Sequence, residues 1–318
     1  MIYPVILAGG KSSRFKSSKT KVLHEILGKP VLFHIIDTLK DVDLSPIFVV
    51  SGKNHKELLN ELPKDIVLVE QKVPLGTGDA VRAVFDYIED DDSDILVLPG
   101  DAPLITSDSV KLLIEKHREE KNACTFLTAI LENPTGYGRI IRKDGFPYKI
   151  VEEIDATPKE REVKEVNAGV YIFKTSVLKD AILDIKPDNM KGEYYITDCI
   201  EILVARGEKV NAYPLKEPEE MLGINTREDY EKVFRVMRDR VLRKWMDKGV
   251  TIMDKDTTYI EVDVEIGRDT IIYPMVYLMG KTRIGENVKI GPMVIIKDSV
   301  IKDNEEIRGP EIIENRVV

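Results

Sequence analysis

Short apolar runs alternate with helical periods over the first two-thirds of the chain. Residues 5–8 are apolar and stop at Gly9 and Gly10, the pattern of a strand that opens into a tight loop. Residues 31–40 place Val31, Ile35, Ile36 and Leu39 at helical spacing. Further strands are predicted over 47–50, 66–70 and 95–98, and helices over 54–62 and 78–87. This order predicts an α/β domain with a mostly parallel sheet and helices on both faces. Ligands of such sheets sit at the carboxyl ends of the strands.

The texture then changes twice. Over 226–248, Tyr230, Val233, Phe234, Met237, Val241, Leu242 and Trp245 fall at helical spacing, with Thr226 as N-cap and Gly249 as the stop. Beyond it Ile260, Ile266, Ile272, Leu278, Ile284, Ile290 and Ile296 recur every sixth residue. The register slips by one after Ile296 and continues through Ile301, Ile307 and Ile313. A sixfold repeat matches neither helix nor hairpin and predicts a short β-helix of about three coils with an aliphatic axis. The expected organisation is a domain over 1–225, a connecting helix over 226–248 and a β-helix over 249–318.

Composition narrows the class. The chain has 318 residues, of which 43% are hydrophobic and 32% charged, and a net charge of −9. An acidic balance argues against a general nucleic-acid or membrane-surface binder, and no apolar run approaches a membrane span. Two distant cysteines in apolar settings, Cys124 and Cys199, make no disulfide framework and fit a reducing, cytoplasmic compartment. Gln71 is the only glutamine, an amide depletion seen in proteins from hot environments. His24, His34, His55 and His117 have no metal-ligand spacing.

The chemistry begins at Leu7-Ala8-Gly9-Gly10-Lys11-Ser12-Ser13-Arg14. Glycines at a strand end let backbone N–H groups approach a phosphate, and Arg14 and Lys21 add positive charge. The spacing is not that of a Walker A loop. Taken alone, the loop favours an anion site over the alternative of a plain glycine turn with solvated cations. Asp101 ends the predicted strand 95–98, where a carboxylate can hold Mg²⁺ or cap the turn before Pro103. Gln71 carries an amide that donates and accepts, as reading a pyrimidine edge requires.

The segment from Leu7 to Gly10 with Arg14 and Lys21-Val22-Leu23 resembles the signature of the sugar-nucleotide pyrophosphorylases. Further matches follow in order at Gln71, Leu75-Gly76-Thr77-Gly78, Pro99-Gly100-Asp101, Gly136-Tyr137-Gly138-Arg139, Val151-Glu152, Glu165-Val166-Asn167-Ala168-Gly169, Glu193-Tyr194-Tyr195-Ile196-Thr197-Asp198 and Gly223-Ile224-Asn225. With the hexapeptide repeat, the whole resembles the bacterial bifunctional UDP-N-acetylglucosamine pyrophosphorylase and glucosamine-1-phosphate N-acetyltransferase family, with a truncated acetyltransferase half. The resemblance implies a Rossmann-like nucleotidyltransferase domain followed by a left-handed β-helix. It implies a uridylyltransferase that joins UTP and N-acetylglucosamine 1-phosphate. Arg14, Lys21 and Asp101 would be catalytic. Leu7, Ala8, Gly9, Gly10, Lys21, Gln71, Gly76, Thr77, Gly138, Glu152, Asn167, Tyr195, Thr197 and Asn225 would bind substrate. Asp101 and Asn225 would hold Mg²⁺.

The chain departs from that pattern at three places. Asp79 stands where the family often has histidine, Pro74 where it often has glutamine, and Thr20 where a proline commonly precedes the lysine. No residue matches the acetyltransferase histidine or its acyl-CoA contacts, so no acetyl transfer is expected. The short β-helix, with aliphatic flanks and an open end, could form a homotrimer. Competing readings are an enzyme for another sugar or base, a nucleotide-sugar-binding subunit without activity, and an acyltransferase. Retention of Arg14, Lys21, Asp101 and Asn225 speaks against the subunit without activity.

Overall fold

The computed structural model describes residues 1–10 and 13–318. They form two compact units, one of Met1–Leu23 with Val31–Thr226, the other of His24–Pro30 with Arg227–Val318.

The first unit is built on a nine-stranded sheet. Its strands are β1 (Ile2–Leu7), β2 (Ile47–Ser51), β3 (Ile66–Glu70), β4 (Asp94–Pro99), β5 (Cys124–Ile130), β6 (Arg139–Lys143), β7 (Phe146–Val151), β8 (Glu165–Lys174) and β9 (Val210–Pro214). The main order is β9-β5-β8-β4-β1-β2-β3, with the β6–β7 hairpin joined to β8. β8 runs antiparallel to β4 and β5, and the other neighbours along the main path are parallel. The sheet is therefore mostly parallel, as the alternation predicts.

Alternate residues of the central strands feed two separate cores. Ile6, Val49, Leu96 and Leu98 pack with Leu32, Ile35, Ile36 and Leu39 of α1 (Val31–Lys40) and with Val110 and Leu113 of α4 (Ser107–Glu120). Val5, Val50, Ile95 and Val97 pack on the other face with Val81 of α3 (Thr77–Arg82), Leu178 of α5 (Thr175–Ile182) and Leu203 of α6 (Asp198–Ala205). Burial on both faces explains why these strands read as unbroken apolar runs. The helix expected over 78–87 is shorter than the sequence suggests. It ends at Arg82, and the chain tightens into a 3-10 turn at Phe85–Tyr87. Val81, at the end of the helix, and Val84, just before the 3-10 turn, are both fully buried.

In the second unit α7 (Arg227–Asp247) leads into a short left-handed β-helix of three parallel sheets. The predicted stack is its axis: Ile260, Ile272, Leu278, Ile290 and Ile296 are all fully buried. Tyr277 pairs with Ile295, eighteen positions on, whereas Ile296 pairs with Ile313, seventeen on, so the last coil is one residue shorter. That is the slip visible in the sequence. Asn287 and Asn304 take the left-handed backbone conformation at successive corners, and the Asn287 amide donates to Asn304 at 2.8 Å. The short strands Glu25–Ile26 and Lys29–Pro30 belong to this unit. There the Val262 N–H donates to the Leu27 carbonyl at 3.1 Å, and Lys29 pairs with Asp263 at 3.0 Å.

Candidate active site

The carboxyl ends of β1 and β4 open onto a cavity of about 560 Å³. Ten of the predicted residues line it: Leu7, Gly9, Gly10, Gln71, Gly76, Thr77, Asp101, Glu152, Asn167 and Thr197. Ala8, Arg14, Lys21, Gly138, Tyr195 and Asn225 do not line the cavity itself. Lys11 and Ser12 of the glycine loop lie outside the described residues.

The loop is anchored from behind. Ala8 is buried, and its N–H donates to the Val50 carbonyl at 2.8 Å, so it extends the sheet and belongs to the core. A Cβ on Gly9 would come within 3.1 Å of the Gly52 nitrogen, which is why the turn needs glycine there. Asn54 escaped the sequence reading. It is buried, and its Nδ2 donates to the Ala8 carbonyl at 2.9 Å and to Thr20 Oγ1 at 3.2 Å. The Thr20 N–H donates to Glu57 at 2.9 Å. A proline has no such N–H, so the departure at Thr20 has a structural partner in Glu57.

Four predicted residues meet at one point although two of them come from opposite ends of the unit. Lys21 Nζ donates to Asp101 Oδ2 and, at 3.2 Å, to Asn225 Oδ1. Arg14 also donates to Asn225 Oδ1, at 3.1 Å. The Ile224 N–H donates to the Asp101 carbonyl at 2.9 Å and holds the two oxygen-bearing side chains side by side. A carboxylate oxygen and an amide oxygen thus already converge on one cation. Two hard oxygen donors with room for phosphate and water are a set that suits Mg²⁺. Among the described residues there is no group of three or more His, Cys, Asp or Glu able to hold a metal.

At one end of the cavity the backbone is held open by glycine. Gly76 has φ +126°, and a Cβ there would lie 2.4 Å from the Tyr194 carbonyl oxygen. The Gly78 N–H donates to that carbonyl at 2.8 Å, and Thr77 Oγ1 accepts from the Ile196 N–H at 3.0 Å. Gln71 lies alongside, its Nε2 donating to the Gly76 carbonyl at 3.0 Å and to Asp79 at 2.8 Å.

The other end is acidic. Burial pushes the Glu152 carboxyl above its usual range, opposed by the Lys191 ammonium and reinforced by Asp155. Gly138 lies behind it; a Cβ there would sit 3.4 Å from the Glu152 carboxylate. Thr197 Oγ1 is buried beside the Glu152 carboxylate and favours its charged form. Asn167 sits where β8 bulges, and its Oδ1 accepts from the Gly169 N–H at 2.9 Å, which leaves the amide to act as donor. Tyr195 stands back from the cavity, under the Lys191 ammonium at 5.7 Å from the ring centre. Burial pushes the pKa of its phenol up, and its hydroxyl has no partner among the described residues. Lys191 and Tyr171 also line the cavity and were not singled out by sequence, whereas Gly169 and Glu193, which line it too, lie inside matched motifs. Lys191 stands two residues before the matched run that begins at Glu193, which was the available signal.

A glycine loop after β1, the oxygen pair of Asp101 and Asn225 and a cleft across the sheet define a nucleotidyltransferase. A model of the nucleotidyl transferase family matches residues 3–252, and one of the bacterial transferase hexapeptide matches residues 263–298. The chain is 43% identical over 314 residues to the bifunctional protein GlmU of Alkaliphilus metalliredigens, covering 98% of this chain and 69% of that protein. The bifunctional protein GlmU of Clostridioides difficile is also 43% identical, with 98% and 68% covered. This chain belongs to the family of bifunctional GlmU proteins. A crystal structure of UDP-glucose pyrophosphorylase with UDP-glucose superposes with a TM-score of 0.63 at 18% identity, over 76% of this chain and all of that one. A glucose-1-phosphate thymidylyltransferase structure from Bacillus anthracis gives 0.61 at 21% identity, over 75% and 96%. Both likenesses concern the fold. Among the described residues no helix is long and apolar enough to cross a membrane.

Proposed function

We propose that this chain is a uridylyltransferase that joins UTP to N-acetylglucosamine 1-phosphate and releases pyrophosphate. The observation that carries the reading is the convergence of Arg14, Lys21, Asp101 and Asn225 beside a cavity that runs on to Glu152 and Asn167. A phosphate oxygen of the sugar 1-phosphate attacks the α-phosphorus of UTP in line, the bond to the β-phosphate oxygen breaks, and pyrophosphate leaves. The attacking oxygen is already anionic, so no general base is required. The rate comes from positioning and charge neutralisation.

The glycine loop and Arg14 take the departing pyrophosphate. Lys21 moves its ammonium from Asp101 to the α-phosphate and draws the two anionic substrates together. Asp101 and Asn225 would hold Mg²⁺, which when bound supplies further positive charge at the phosphates. Gln71, with the backbone of Gly76 and Thr77, takes the base. Glu152 accepts from sugar hydroxyls, and Asn167, with its carbonyl committed to Gly169, donates to an oxygen of the sugar or its N-acetyl group. Thr197 offers its hydroxyl to the same ligand. Pyrophosphate release, measured with each triphosphate against a panel of sugar 1-phosphates with and without Mg²⁺, tests the whole reading. A preference for another sugar or base would overturn it.

No acetyl transfer is proposed for this chain, since residues 249–318 contain no histidine. A homotrimer is proposed through the β-helix. One of its faces carries Tyr259, Tyr277, Ile295 and Ile312 in register, the two tyrosine rings stacked 4.8 Å apart, with Ile312 62% exposed. An apolar ladder of that kind is a surface that association would cover.

A further inference from the structure

The carboxylate at position 79 has no part in the reaction described so far, yet it touches the residue on which base recognition rests. Gln71 is 7% exposed and lies in the cavity wall. Its Nε2 donates to the Gly76 carbonyl at 3.0 Å and to Asp79 Oδ2 at 2.8 Å. A backbone carbonyl and a carboxylate accept hydrogen bonds and do not donate them. A reversed amide would press Gln71 Oε1 against two oxygens. Only one orientation is therefore compatible with these neighbours. Both N–H groups are committed, and the remaining polar atom is the carbonyl oxygen. Gln71 lines the cavity, so that oxygen is the polar atom it has left for a ligand there.

We propose that Asp79 is a positioning residue for base selection. It locks the Gln71 amide with the carbonyl as the free polar atom, so that the site accepts a hydrogen bond and offers none from this side chain. A pyrimidine with a protonated N3, as in uracil or thymine, satisfies that oxygen. Cytosine presents an unprotonated N3, and the two lone pairs repel. Without Asp79 only the Gly76 carbonyl opposes reversal, and a reversed amide would donate to cytosine. This inference rests on the assignment of Gln71 to the base.

Asp79 sits half-buried in the first turn of α3, where substitution leaves the core intact. The test is the ratio of kcat/KM for UTP to that for CTP, with folding checked by Tm. Asp79→Ala and Asp79→Leu should each lower the ratio about tenfold, the value of one hydrogen bond, mostly through KM. Asp79→Asn, which keeps an oxygen within reach, should retain most of it. Gln71→Ala should lose the ratio as well, and adding Asp79→Ala to it should change nothing more, a coupling that a purely structural role would not produce. If both Asp79 variants keep the ratio while Gln71→Ala loses it, the positioning role is overturned and the base assignment stands. If Gln71→Ala keeps the ratio, both fall.

Discussion

The ammonium of Lys21 donates to the carboxylate of Asp101, which follows it by 80 positions in the chain. The lysine side chain is only 11% exposed and the aspartate 23%. Each group therefore shields the other's charge until phosphates arrive. Lys21→Ala and Asp101→Ala should both fold and both lose turnover by about a hundredfold or more, the size of effect seen when one preorganised electrostatic contact is removed. Steady-state pyrophosphate release checks this, and an Asp101→Ala enzyme running at full rate would sink the metal assignment. Chelation with EDTA should abolish turnover of the unmodified enzyme, and added Mg²⁺ should restore it.

Gly76 tests the base end of the cavity separately. Its positive φ and the 2.4 Å approach of a built Cβ to the Tyr194 carbonyl leave no room for a side chain. Gly76→Ala should cost about 1–3 kcal/mol of stability by thermal or urea unfolding. On the proposal that this backbone takes the base, KM for UTP should rise more than KM for the sugar phosphate. Equal changes in both would place the strain elsewhere.

Asp198 gives a pH signature at the acidic end. Burial, followed by Asp188, Glu152, Glu201 and Asp155, raises its carboxyl from 3.8 to about 6. A carboxyl whose folded value lies above its unfolded value stabilises the fold when protonated. That contribution is lost as pH rises through about 6. Asp198→Asn should therefore melt like the unmodified protein below about pH 4 and above it in temperature near neutrality. Tm measured across that range for both proteins decides the matter; a difference that shrinks as pH rises has the wrong sign.

The outward ladder on the β-helix predicts association. Light scattering should return three times the chain mass, and Ile312→Glu should lower it by placing charge in an apolar contact. A monomeric unmodified protein would reject the trimer.

Much of this was legible in sequence because it depends on local rules. The strand before Gly9, the helix at 31–40 and the sixfold isoleucine repeat with its one-residue slip each follow from periodicity or glycine chemistry. What could not be read locally depends on distant partners. The reversal of β8 is invisible to a strand pattern, because both directions bury the same residues. Asn54 looked like a helix start, and its hold on Ala8 and Thr20 needs β1 and β2 already paired. Asp79 looked like a mere departure from a family motif until its carboxylate was found against Gln71. Asn225 entered by resemblance alone; its approach to Lys21 spans nearly the whole first unit.

His24–Pro30 begins three residues after Lys21, yet it belongs with Arg227–Val318. Ile26 is fully buried there, and Tyr230 donates to the Glu25 carbonyl across 205 positions of chain. During synthesis this segment emerges from the ribosome long before its partners and must wait with its apolar side chains uncovered. Cutting the gene after Thr226 would not subtract a tail. It would orphan a piece of the second unit inside the first, so a fragment of that length should be harder to produce than its catalytic residues alone suggest.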